Sequence, residues 1–156
     1  TIGAGQSSLL VQVSQQGPWT TVATTCFSFD GYMVANDGGA VSFFVVGGVS
    51  NMTTASNLTF QLWVGGVLEL VQLVALGTTA RANRCWSVDG RIIYNGAGHV
   101  STMKAGVDLV AANLSVGRGV VVDDVVDKNV ELKVFLSAAV AGAGVSVFGG
   151  HAVRVF

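Results

Sequence analysis

Apolar residues in this chain recur at every second position in short runs. Clusters of Gly, Asn, Asp and Ser cut those runs apart roughly every ten residues, the spacing of an all-β sandwich or barrel. In Val130–Leu136, Val130, Leu132, Val134 and Leu136 share one side of an extended chain, and Glu131, Lys133 and Phe135 share the other. In Leu58–Val64, Phe60, Leu62 and Val64 alternate with Thr59, Gln61 and Trp63. The pattern predicts strands at Leu9–Val13, Thr20–Phe29, Val41–Val46, Leu58–Val64, Val67–Val74, Cys85–Tyr94 and Val130–Leu136. It predicts two further strands at the end of the chain, Val145–Phe148 and Ala152–Phe156, and has weaker runs at His99–Lys104 and Leu109–Leu114. The expectation is about 8–10 short strands. Gly65-Gly66 predicts a two-residue hairpin, because a type I′ turn needs positive φ at both positions and glycine adopts it without a steric cost. No sustained helical period competes, and 21 glycines weigh against one, since each costs about 1 kcal/mol in a helix relative to Ala.

Charge changes the picture most. Of 156 residues, 11% are charged and 51% hydrophobic, against about 25% charged in an ordinary soluble domain. Mean hydropathy is +0.61. Residues 1–29 and 38–68 carry no Asp, Glu, Lys or Arg. Too few charges remain to coat the surface, so part of it is expected to lie against copies of the chain or a larger assembly. The length fits one domain able to bury roughly 70% of its unfolded surface without a metal or disulfide. Residues 1–18 are expected to be an N-terminal arm or first strand with a contact role, and residues 19–156 a single sandwich domain. Net charge of −1 and scattered basic residues argue against nucleic acid. The apolar runs are too short to span a membrane as helices, and no secretory signal opens the chain.

The candidate chemistry is sparse. Ser101, His99 and Asp108 can be written as a nucleophilic triad, but no Gly-x-Ser-x-Gly elbow accompanies them, and two structural histidines, His99 and His151, are the plainer reading. Asp123, Asp124, Asp127 and Asn129 offer oxygens to Ca²⁺, yet the EF-hand spacing is absent, and a solvated turn is expected. Asp30 and Asp37 read as turn residues. Glu69 and Glu131 both fall in predicted strands and do not suggest a glycosidase pair. Trp19, Trp63 and Trp86 could stack on sugar rings, but are more simply core or interface. Cys26 and Cys85 have no metal or redox spacing, and read as two buried thiols or a single bridge. The sequons at Asn51, Asn57 and Asn113 are taken as chance. No enzyme activity, metal or cofactor is expected.

One stretch resembles a known kind of protein. Leu58-Thr-Phe-Gln-Leu-Trp-Val-Gly-Gly-Val-Leu-Glu-Leu70 precedes Arg84-Cys-Trp-Ser-Val-Asp-Gly-Arg-Ile-Ile-Tyr94, then Val130–Leu136 and the closing Val145–Phe156. This arrangement resembles small jelly-roll structural proteins of tailed bacteriophages over about residues 58–156. The resemblance implies a jelly-roll-like antiparallel β-sandwich and a virion role on the outer surface of the capsid. That role would be a decoration (cement) protein, commonly a homotrimer, which stabilises the head by bridging major capsid proteins. The expected contact residues are Leu9, Leu10 and Val11 in the uncharged N-terminal segment, with Trp19, Trp63, Phe135 and Phe156. Two rival readings stand beside it: a receptor- or carbohydrate-binding jelly roll of a tail fibre or spike, and a small-virus coat protein. The latter lacks the basic arm expected for packaging nucleic acid.

Overall fold

The computed structural model describes residues 7–8, 21–31, 40–52, 54–76, 84–94, 99–107, 110–111, 115–119 and 128–154. The described residues form eleven strands and no helix. They are β1 (Ser7–Ser8), β2 (Thr24–Gly31), β3 (Ala40–Ser50), β4 (Asn57–Val64), β5 (Val67–Ala75) and β6 (Arg84–Tyr94). There follow β7 (His99–Val107), β8 (Val110–Ala111), β9 (Ser115–Gly119), β10 (Lys128–Leu136) and β11 (Gly144–Arg154). All pair antiparallel.

One sheet has the order β2-β10-β4-β5. The other runs β1-β11-β3-β6-β7-β8, with β9 also on β7. Eight strands therefore interleave as β1-β11-β3-β6 and β2-β10-β4-β5, the strand order of a jelly roll. Strands β7, β8 and β9 are inserted between β6 and β10 and widen the first set. This is the all-β antiparallel sandwich expected from the alternation.

The core lies between the sheets. Phe27, Leu58, Phe60, Leu62, Leu132 and Val134 come from the four-stranded sheet, and Phe43, Val45, Trp86, Val88, Ile92 and Met103 from the other. Each such large side chain contributes about 1.5–3 kcal/mol on burial. Phe60 and Trp86 meet across the interior at 5.1 Å between ring centroids. The inward set of β10 is the predicted one, Val130, Leu132, Val134 and Leu136.

Glycine misled the strand boundaries. Gly47-Gly48 was expected to end a strand, yet β3 continues through it to Ser50. A Cβ at Gly47 would lie 2.1 Å from Trp86 Cζ2, so the missing side chain is the space the indole occupies. The indole Nε1 in turn donates to the Gly48 carbonyl at 3.2 Å. Gly150 is similar: a Cβ there would lie 2.6 Å from the Phe27 ring. The two closing strands are consequently one, β11, which bends at a bulge between Val147 and Gly149. The run at His99 extends to Val107; of the run at Leu109–Leu114, Val110–Ala111 form β8 and the other residues lie outside the described ones, with β9 beyond. Strand β2 begins at Thr24, and Val22 before it is exposed. The predicted strand Leu9–Val13 lies outside the described residues.

Candidate functional site

The β4–β5 hairpin holds the arrangement that best explains the missing surface charge. Its turn is as expected, with φ of 59° at Gly65 and 79° at Gly66. In β4, Leu58, Phe60, Leu62 and Val64 face the core, and Thr59, Gln61 and Trp63 alternate with them on the other side, where Thr59 is covered and bonded to Ser137 Oγ at 2.8 Å. The register places Leu73 beside Thr59, Val71 beside Gln61 and Leu68 beside Trp63. On the other side of β4, β10 places Phe135 beside Thr59, Lys133 beside Gln61 and Glu131 beside Trp63. Three rows thus cross the outer face: Phe135–Thr59–Leu73, Lys133–Gln61–Val71 and Glu131–Trp63–Leu68.

The β5 end of each row is apolar and wet. Leu68, Val71 and Leu73 are 41%, 44% and 52% exposed. Val67 at the turn is exposed as well. Trp63 and Phe135, both expected as contact residues, are half-buried within this face. The charges on the face belong to β10 and are already engaged. Lys133 Nζ stands 4.3 Å over the Trp63 ring, and Glu131 accepts from Thr25 Oγ1 at 2.7 Å. Trp63 Nε1 donates to Gln61 Oε1 at 3.1 Å.

Residues 38–80 contain one charged side chain, Glu69, and it is turned inward. The ladder pairs Leu62 with Leu70 and then Trp63 with Leu68, leaving Glu69 as the extra residue of a β-bulge. A bulge breaks the strict alternation. Glu69 therefore follows Leu70 into the interior, and Leu68 stays outside. Within, the Glu69 carboxylate accepts from Ser101 Oγ and is bonded to His99 Nε2. His99 and Ser101 are buried inward-facing residues of β7. One turn of the ladder further, Gln72 is also buried, and its Oε1 accepts from the Ala105 backbone N–H at 2.8 Å. That amide lies between the segments of β7 that pair with β9 (His99–Met103) and β8 (Gly106–Val107). Polar groups from β5 thus close the sandwich onto β7, where a buried donor or acceptor needs a partner.

The tertiary fold joins His99 and Ser101 with Glu69. Asp108 lies outside the described residues. The carboxylate is the central group: Ser101 bonds to it and not to the imidazole. An acyl-transfer triad instead places the imidazole between serine and acid. With His99, Ser101 and the Glu69 side chain all buried, the cluster reads as an internal tie between sheets. Among the described residues, no group of three or more His, Cys, Asp and Glu is placed to hold a metal.

Of the other contact residues, Leu9, Leu10, Val11, Trp19 and Phe156 lie outside the described residues, as do Asp37, Asp123, Asp124 and Asp127. Trp86 is buried in the core and offers no stacking surface. His151 is exposed on the opposite sheet, with its ring 6.0 Å from Phe44. Phe44 pairs across the ladder with Asp89, which pairs with Lys104. That sheet also exposes Phe44, Ile93 and Phe148, but there Phe44 stands in a row with Asp89 and Lys104.

The two cysteines are not joined. Cys26 is buried, and its thiol donates to the Leu132 carbonyl at 3.3 Å, whereas Cys85 is exposed on β6. The single bridge is thereby excluded, and only one of the two thiols is buried as expected. Burial pushes the Cys26 thiol from 9.0 up to about 12. A disulfide-exchange reagent at pH 8 is expected to modify Cys85 within the mixing time and Cys26 only at the rate of unfolding, read as one fast and one slow equivalent. The raised value also has a sign for stability. The folded protein retains a proton that the unfolded chain loses near 9.0, so this contribution is complete below that pH and is lost as pH rises towards about 12.

The sequence reading missed the role of Glu69. Its signal was present: one carboxylate in a long uncharged stretch, beside a hairpin whose outer row is already apolar. The chain matches none of the known protein-family models, and no curated protein is recognisably similar to it.

Proposed function

We propose that this chain is a structural subunit that self-associates and decorates a larger shell, in the manner of a tailed-phage capsid cement protein. The observation that carries the reading is the uncharged outer face of β4–β5, where Leu68, Val71 and Leu73 stand in water beside Trp63 and Phe135. A lone copy gains nothing from that exposure, and contiguous apolar surface of this kind marks contact sites. A second copy is the occupant whose chemistry fits, because a face without free charges can approach its own equivalent without like-charge repulsion. The homotrimer, the bridging of major capsid proteins and the outer capsid surface come from the resemblance of residues 58–156. A subunit that binds only the assembled shell would stabilise it by mass action, by about 2.7 kcal/mol per site at a hundredfold excess over Kd.

The test is mass in solution followed by shell binding. Light scattering on purified protein is expected to give a discrete oligomer that co-sediments with phage heads lacking their own decoration. A Val71→Lys, Leu73→Lys double variant is expected to fold, since both positions face water, and to dissociate to monomers. A wild type that stays monomeric at high concentration and ignores shells would overturn the proposal.

A further inference from the structure

We infer that Glu69 is an edge guard: by turning inward at its bulge it bars β5 from adding strands, so that copies meet only face to face. The face-to-face half rests on the association proposed above; the barred edge stands without it.

Among the described residues strand β5 ends the four-stranded sheet, and its nine residues include six Val or Leu. A terminal strand that long and apolar offers its spare N–H and C=O groups as a template for another chain, and heterologous pairing of that kind grows into a filament wherever its rotation does not close a ring. Two devices oppose it here. The bulge interrupts the regular spacing of edge groups between Leu68 and Leu70. The carboxylate, held by His99 and Ser101, and Gln72, bonded to Ala105 N, draw the strand against β7. An inward charge at a bulge is a recognised way of blunting an edge. The same turn of chain leaves Leu68 outside, so one residue both closes the edge and completes the apolar face.

Glu69→Val removes the reason for the bulge and supplies a strand-forming side chain. The variant is expected to keep its β circular dichroism and to lose its fixed mass. Scattering mass should rise at least about tenfold with time as strands add, with thioflavin-positive fibres at the end point. A folded E69V of unchanged discrete mass would overturn the edge guard and leave the assembly reading intact. A monomeric wild type beside a fibre-forming E69V would do the reverse. Should E69V not fold, amide exchange in wild type decides the matter. The Ala105 N–H is expected to be slowed about a hundredfold or more, as an amide that opens only with its surrounding strands. Exchange of Ala105 at the rate of an open chain would show that β5 is not held, and the inference would fall.

Discussion

Gly47→Ala is expected to destabilise the protein by about 3 kcal/mol or more, at the upper end of what overpacking costs. The added methyl would lie 2.1 Å from Trp86 Cζ2 and 2.2 Å from the Ser146 carbonyl oxygen. The indole cannot step aside, because it is buried against Phe60 and bonded to Gly48 O. The carbonyl cannot move without β11, which is laddered to β3 at that point. In a chain of this size the loss corresponds to a fall of roughly 6–12 °C in Tm. Gly149→Ala is the matched control: it lies in β11, the strand paired with β3, has nothing within 4 Å of its added methyl, and is expected to leave Tm nearly unchanged. Thermal unfolding of the two variants checks the claim, and equal Tm values would show that close approach at Gly47 is not what holds Trp86 in place.

The second large effect is expected at the tie between sheets. His99→Ala leaves a buried carboxylate with Ser101 as its remaining donor among the described residues. Removing one partner of a buried pair costs about 3–5 kcal/mol, most of it the penalty on the charge left behind. Glu69→Val takes the carboxylate itself away and deprives His99 and Ser101 of that acceptor, a smaller cost of about 1–3 kcal/mol. The double variant E69V/H99A should lose less stability than the sum of the single losses, because each change removes the reason the other is harmful. Denaturant unfolding measures all three. If E69V proved the more damaging single change, the cost would lie in the lost bulge and not in the stranded carboxylate. The asymmetry also explains why E69V can remain folded long enough to reveal what its edge does.

These expectations put the small and the polar residues of the strands at the centre of the protein's behaviour, which is where the sequence was hardest to read. Alternation alone identified β4, β5, β6 and β10 and the inward row of β10, because a period of two leaves no choice of face once one side is buried. The Gly65-Gly66 turn was equally legible, since its chemistry is local. The scarcity of charge was enough to suggest a covered surface, and alternation placed Trp63 and Phe135 opposite the rows that the structure buries.

What the chain could not show is which distant atoms fill each gap. Gly47 and Gly150 look like turn residues in one dimension; they are strand residues because an indole and a phenyl ring, distant in sequence, need their space. Glu69 lies about thirty residues from His99 and Ser101 and in the other sheet, and only the packing of β5 on β7 brings it to them. The sequence by itself determined the strands, their faces and the shortage of charge, since these follow from neighbours along the chain. The tertiary structure decided where the one carboxylate of the hairpin points, because a bulge changes the face of a side chain at small local cost and only a buried partner selects the inward state.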